Sequence, residues 1–378
     1  MKSIIVLLVL ILFSCCNDER NDRVSAVKAT LSDMELKGGT LIPEGYSINA
    51  SNVENVTQIL HPVYTTIERM SFSVSFTVNS KNVILRIGKG FCFAEILGNQ
   101  MSVYQISDDF NGSSLIDIIN LPFCLVENTK YNISIDKLDG YRLKYSIVSV
   151  DSQFDKIYNI DTGSGFNVVR AWGQAFFGVK DGNVLVNDAI ITTGYDRETV
   201  VSFWGDSFFD AANLVGNGGT FKDRYCDLVA QEIGYEKVPI MARTGHALDA
   251  SFLARFKIEN SYFKSPYVFI AMGTNNRSLD EYITYVKECI KEVKRNKQTP
   301  ILVTVTPRPD VDYALVTKPI NEWVRASGER YVDISRAVTD DNGNWMPLYV
   351  VADSIHPSVE GEHAMFRRIK IDVAELFY

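Results

Sequence analysis

The sequence predicts two parts: an α/β fold over residues 199–378, with helices on both faces of a parallel sheet, and before it an all-β sandwich over residues 38–198. Three observations predict this. From about Gly38 to Thr193 apolar and polar residues mostly alternate, the period of strands with one buried face. After the linker-like Gly194-Tyr195-Asp196-Arg197-Glu198, short apolar runs alternate with stripes at helical spacing, which implies βαβ units and a parallel sheet. The chain has 378 residues, 46% of them hydrophobic, enough for two domains with room for sizeable cores.

The first residues read as a secretory signal. Met1 and Lys2 precede an apolar run over residues 4–13 that is too short to span a bilayer as a helix. Leu12-Phe13-Ser14-Cys15 resembles the lipobox of bacterial lipoproteins, although Phe13 is bulkier than that pattern usually carries. The resemblance implies cleavage after residue 14, lipidation of Cys15 and anchoring to a membrane through the lipid. Cys16 fits less well, because Cys15 would then stand before the cut. Residues 16–37 read as a tether. The acidic residues just after the cysteine are similar to surface-export signals, so the expected location is the outer membrane or cell surface of a Gram-negative bacterium.

A net charge of -8 and a pI near 5.2 argue against nucleic acid as a partner. Beyond the signal, four cysteines remain: Cys92, Cys124, Cys226 and Cys289. Cys92 and Cys124 sit in apolar settings typical of small buried hydrophobes, and a bridge between them is left open. No Cys/His spacing marks a metal site, and no organic cofactor is implied.

In the first half, Phe72, Val74, Phe76 and Val78 alternate with Ser71, Ser73, Ser75 and Thr77, and Val83, Leu85 and Ile87 repeat the pattern. Tyr131, Ile133 and Ile135 lead through Asp139-Gly140 to Tyr141, Leu143, Tyr145 and Ile147, a hairpin signal. Phe176-Phe177-Gly178-Val179 followed by residues 181–186 resembles the closing hairpin of concanavalin-like sandwiches. Such domains often bind sugars, and Trp172, Tyr104 or Tyr141 could stack on them, though aromatics at strand spacing are more often core. The favoured role is packing or positioning. His61 has no partner visible in the sequence.

In the second half, residues 200–204, 238–242, 267–272, 301–305 and 331–334 read as strands. Helical stripes lie between and after them. Tyr225, Leu228, Val229 and Ile233 form one that Gly234 stops, and residues 248–256 form another. Leu279, Tyr282, Ile283, Val286, Cys289, Ile290 and Val293 make the clearest, with part of a helix at residues 320–324. Met365, Ile369, Val373 and Leu376 form the last.

Four short segments follow strand ends: Gly205-Asp206-Ser207, Thr244-Gly245, Gly273-Thr274-Asn275-Asn276 and Asp353-Ser354-Ile355-His356-Pro357. In an open parallel sheet the carboxyl ends of strands are where reactive groups gather. In order and spacing these segments resemble the SGNH (GDSL-type) hydrolase family over nearly all of residues 199–378. The resemblance implies a three-layer α/β/α sandwich and ester hydrolysis through an acyl-enzyme. It assigns Ser207 as nucleophile, His356 as base and Asp353 as third triad member, with Ser207, Gly245 and Asn275 forming the oxyanion hole. The chain departs from the family at Asn276, where aspartate is usual at a supporting position.

The chemistry asks for these residue types. A serine hydroxyl needs a base to take its proton. A carboxylate three residues before the histidine can hold one ring nitrogen, and a tetrahedral intermediate needs preset donors for its oxyanion. Asp206 reads as a turn carboxylate. His246 could border the pocket, and Arg243 and Arg277 flank it. The expected function is an exported serine esterase acting on O-acyl, foremost O-acetyl, esters of carbohydrate. The alternatives are a lipase or thioesterase on longer acyl chains, and an inactive surface glycan-binding lipoprotein.

Overall fold

The computed structural model describes residues 28–51, 57–63, 65–106, 112–159, 171–196, 198–209 and 214–378. The expected signal segment, Cys15, the first residues of the expected tether and Arg197 lie outside them. Residues 28–37, expected as tether, are part of the β-sandwich instead: Lys28–Thr30 pairs with residues 190–192 and Glu35–Lys37 with residues 58–60. Ala29 and Met34 supply the reason, since both bury apolar side chains in the core that a free tether would leave in water.

In the N-terminal half, antiparallel strands form two layers joined by one long strand. Met70–Val78 has the strict alternation read from its sequence, with Phe72, Val74, Phe76 and Val78 buried. It pairs with Thr129–Lys137, which turns at Asp139-Gly140 into Arg142–Val148 as a hairpin. Ile84–Lys89, Cys92–Leu97 and Gln100–Ile106 pair in turn in the facing layer. Phe76 of one layer and Phe177 of the other meet with ring centroids 5.3 Å apart. Cys92 is buried and Cys124 exposed, and no disulfide joins them.

Residues 176–186 do not close a hairpin. Ala175–Thr193 is a single strand that serves one layer with its first residues and the other with the rest. The register shifts between Val179 and Asp181, and Gly182 has φ +96°, a backbone that other residues rarely adopt. The turn-forming pair Asp181-Gly182 thus bends the chain between layers without reversing it.

The C-terminal sheet is parallel and contains β1 (Val201–Gly205), β2 (Ile240–Ala242), β3 (Tyr267–Ala271), β4 (Thr299–Val303) and β5 (Arg330–Val332), in the order β2-β1-β3-β4-β5. Between and after the strands run α1 (Tyr225–Ile233), α2 (Ala250–Glu259), α3 (Leu279–Arg295), α4 (Lys318–Ala326), α5 (Ile334–Val338) and α6 (Val359–Asp372). Alternation along β1 divides the layers. Val201 and Phe203 share a core with Tyr225, Val229, Val338, Met365 and Ile369 of α1, α5 and α6. Trp204 shares the opposite core with Phe252, Phe256, Tyr282, Val286, Ile320 and Val324 of α2, α3 and α4. This is a three-layer α/β/α sandwich.

The two halves are joined. Ile67 pairs antiparallel with Met241 at the edge of β2, and the Glu68 N–H donates to the Ile240 carbonyl (3.1 Å). The core that holds Trp204 is continuous with the β-sandwich core. Trp204 is fully buried, edge-on to Phe256 at 4.6 Å between centroids. Trp204→Ala is therefore expected to lower unfolding free energy by ~3–5 kcal/mol, measured by urea titration; a loss under ~1 kcal/mol would contradict this packing.

Candidate active site

β1 ends in Gly205, and the chain turns at once through Ser207–Phe209. Asp206 shapes the turn: its Oδ1 accepts from the Phe208 N–H (3.1 Å) and its carbonyl from the Phe209 N–H (3.1 Å). Ser207 is held at the carboxyl end of the strand with 8% of its surface exposed.

The segment carrying His356 is a tight loop. Val350 bridges to Pro357, and the Val351 N–H donates to the His356 carbonyl (3.0 Å). Ser354 has φ +60°, a strained conformation for a residue with a side chain. Ser358 then caps α6, accepting from the Gly361 N–H.

Ser207, His356 and Asp353 form one hydrogen-bonded chain. Ser207 Oγ lies 2.9 Å from His356 Nε2, and His356 Nδ1 lies 2.6 Å from Asp353 Oδ2. A carboxylate only accepts, so Nδ1 carries the proton and Nε2 is left to accept from the serine hydroxyl. Asp353 Oδ1 accepts from the Ile355 and His356 N–H groups (2.8 and 2.9 Å). Burial pushes the Asp353 carboxyl up, but these donors and the His356 ring outweigh it and hold it below its ordinary value. It stays ionised.

Asn275, after β3, ties the other segments together. Its Nδ2 donates to Asp206 Oδ2 (2.9 Å) and to the His246 carbonyl (3.1 Å), while its Oδ1 accepts from Arg308 Nη1 (2.6 Å). The partners fix the amide's orientation: carboxylate and carbonyl need a donor, and guanidinium needs an acceptor. Gly245 is exposed in the same turn as His246, with φ +72° and no atom within 4 Å of where a Cβ would stand. Asn276, in place of the family's aspartate, is buried and uses both ends of its amide. Its Oδ1 accepts from the Leu248 N–H (2.9 Å), and its Nδ2 donates to the Leu248 carbonyl (3.0 Å) and to Glu281 (3.2 Å). An aspartate could not donate to the carbonyl.

His246 is buried, with Nδ1 facing Arg255 (3.3 Å) and Nε2 facing Ser251 Oγ (2.9 Å). Burial, then Arg255 and Arg243, push its pKa down to about 3, so it is neutral. Arg243 lies over the Trp172 ring (4.9 Å), and Arg277 pairs with Asp310 (2.8 Å). Arg308, which sequence reasoning did not single out, reaches Asn275 while pairing with Asp310 (2.8 Å). The Arg308-Pro309-Asp310 triplet after β4 was its only local trace. His61 is buried, its Nδ1 3.1 Å from the Val63 carbonyl.

Residues 203–364 match the model of the GDSL-like lipase/acylhydrolase family. The chain carries a GDSL-like lipase/acylhydrolase domain. The GDSL-like domain makes it a serine ester hydrolase. Among solved structures it is similar to a GDSL-like lipase from Bacteroides thetaiotaomicron, at 19% identity over 47% of this chain and 88% of that one, TM-score 0.36. It is also similar to a member of the lipolytic G-D-S-L family from Veillonella parvula, at 17% identity over 47% and 98%, TM-score 0.38. A catalytic mutant of an acetylxylan esterase from Geobacillus stearothermophilus matches at 17% identity over 47% and 94%, TM-score 0.37. No curated protein sequence matches the chain.

The Asp206 carboxyl in the GDSL-like domain is fully buried, and burial pushes its pKa up to about 6 against the opposing Phe208 N–H, His356 and Arg308. A carboxyl whose folded pKa is raised favours the folded state below its unfolded pKa and loses that advantage as pH rises through the folded value. Asp206→Asn removes this titration. Its unfolding free energy, relative to wild type, should rise by ~3 kcal/mol from about pH 4 to about pH 7. Urea titrations across that range test this; a difference that does not change with pH would contradict it.

Proposed function

We propose that the chain is an exported serine esterase that removes O-acyl groups, foremost O-acetyl, from carbohydrate through an acyl-enzyme on Ser207. The observation that carries this reading is the Ser207–His356–Asp353 chain at 2.9 and 2.6 Å. His356 Nε2 takes the Ser207 proton as Oγ attacks the ester carbonyl carbon. The oxyanion that forms is met by the Ser207 and Gly245 N–H groups and by Asn275 Nδ2. Arg308, bonded to the amide oxygen of Asn275, polarises that amide and makes its N–H groups stronger donors. The oxyanion competes for these hydrogens with Asp206 and the His246 carbonyl.

Collapse of the intermediate breaks the ester C–O bond, and His356 Nε2–H gives its proton to the departing sugar oxygen. Water repeats the cycle: His356 takes its proton, its oxygen attacks the acyl carbon, and the Ser207 oxygen leaves and regains a proton. Asp353, held ionised, stabilises the imidazolium in both halves.

Support for a carbohydrate comes from a cavity of about 250 Å³ in the N-terminal half, lined by Phe91, Trp172, Phe176, Gln58 and Gln174 among others. Aromatic faces beside side-chain amides suit a sugar ring and its hydroxyls. Trp172 of this cavity underlies Arg243, two residues before Gly245. The apolar run ending at Ser14-Cys15 supports export and anchoring through a lipidated Cys15.

Ser207→Ala is expected to abolish acetate release from acetylated polysaccharide and from a chromogenic acetate ester while leaving the unfolding midpoint near wild type. Turnover retained in that variant would sink the nucleophile assignment. Trp172→Ala should raise KM for acetylated polysaccharide by about tenfold, the loss of roughly one stacked ring, and leave kcat/KM for the small ester unchanged. Equal losses on both substrates would count against a sugar subsite. A chain-length series separates the lipid alternative, which requires kcat/KM to rise from acetate to octanoate as methylenes are buried.

A further inference from the structure

Residues 65–68 of the N-terminal half run between the β-sandwich and the edge of β2. Thr65 pairs with Gly173, and the fully buried Lys89 donates from Nζ to both their carbonyls (3.2 and 3.1 Å). Ile67 pairs with Met241. The two residues beside Ile67 each enter a buried polar network of the C-terminal domain.

Glu68 is 3% exposed and grips the fully buried Arg224 with both oxygens, 2.9 and 3.0 Å from Nη1 and Nη2. Nη1 of the same guanidinium donates to the carbonyl of Phe209, the last residue of the turn that Ser207 begins. Thr66 is fully buried. Its N–H and Oγ–H donate to Glu259 (3.0 and 3.1 Å), and its Oγ accepts from Arg255 Nη1. Arg255 Nη2 reaches His246 Nδ1 (3.3 Å), and the His246 carbonyl holds Asn275 Nδ2 (3.1 Å). One short segment thus ends in two places, the nucleophile turn and the loop that orients Asn275.

We propose that Glu68 and Thr66 are positioning residues of the active site, which the β-sandwich completes from outside the catalytic domain. Glu68 fixes Arg224 and through it the Ser207–Phe209 turn. Thr66 fixes Arg255 and through it the 243–246 loop. Neither touches substrate. Both act on where the attacking oxygen and the oxyanion donor stand, and a misplacement of about 1 Å can cost ~100-fold in rate. The two networks are buried, so they are neither screened by salt nor loosened by water, unlike surface ion pairs. The proposal rests on Ser207 being the nucleophile.

The test uses the full chain and three variants. Glu68→Gln keeps the shape of the side chain and one acceptor for Arg224, which retains Asp227 and Phe209. Thr66→Val keeps the volume and removes the hydroxyl. Tyr141→Leu is the control: Tyr141 also crosses between the halves, stacking on the Phe221 ring with centroids 4.8 Å apart, so the variant disturbs the same seam without removing any of the bonds named above. On a small acetate ester, Glu68→Gln and Thr66→Val should each lower kcat by about tenfold or more with KM within about twofold of wild type. Covalent labelling of Ser207 by a phosphonate ester should slow to match. Tyr141→Leu should shift the unfolding midpoint without changing kcat. If Glu68→Gln does not fold, Thr66→Val carries the same reading alone.

Wild-type kcat in the folded variants, or an equal kcat loss in Tyr141→Leu, overturns the proposal. Turnover retained in Ser207→Ala is a different failure, of the nucleophile reading itself.

Discussion

The Arg224 guanidinium has no access to solvent, and the fold on either side of it is arranged around that fact. An isolated buried charge costs several kcal/mol, so each of its nitrogens must find a partner. Two come from its own neighbourhood, the Asp227 carboxylate and the Phe221 carbonyl, and one is the Phe209 carbonyl of the Ser207–Phe209 turn. The fourth, Glu68, lies 156 residues away in the other half of the chain. Burial and the neighbouring Glu68 push Asp227 up to about 7 against the pull of Arg224, the mark of two carboxylates sharing one cation. Removing Arg224 would strand both carboxylates, so the β-sandwich is tied to the catalytic domain through this shared cation as well as by apolar contact.

The place of the site follows from the strand order. With β2-β1-β3-β4-β5, the chain leaves β1 toward one side and β3 toward the other, opening a crevice at their carboxyl ends. Ser207 lies on the loop after β1 and Asn275 on the loop after β3. Because the crevice is narrow, the Asn275 amide can reach both Asp206 and the His246 carbonyl. The polar groups there are mutually satisfied, with Arg308 closing the network at the amide oxygen. Such a network holds its geometry before any substrate arrives, which is what electrostatic stabilisation of an oxyanion requires.

Much of the C-terminal domain was legible in the sequence because its signals are local. Strand runs and the α3 stripe depend on neighbours within one turn, and Asp353 and His356 are three residues apart. Pattern alone misread two stretches. Asp181-Gly182 has turn composition, yet the strand merely bends there, since its two ends serve different layers. Residues 28–37 are too short and polar to announce themselves as strands, and Ala29 and Met34, with Leu31 and Leu36 packed beside them, give them a core to join. Glu68, Thr66, Arg255 and Arg308 were invisible for another reason: each owes its position to a partner remote in sequence, 193 residues in the case of Thr66 and Glu259. Spacing cannot encode such pairs.

The central claim, a covalent route through Ser207, is tested most directly by stopping the reaction in mid-turnover. The purified chain is mixed with an acetylated substrate, quenched in acid during the first turnovers, digested and searched by mass spectrometry for acylated peptides. An acetyl group on the peptide carrying Ser207, present during turnover and gone when substrate is exhausted, is the predicted result. Acetyl on a different side chain, or steady turnover with no acylated chain at any quench time, would contradict the account.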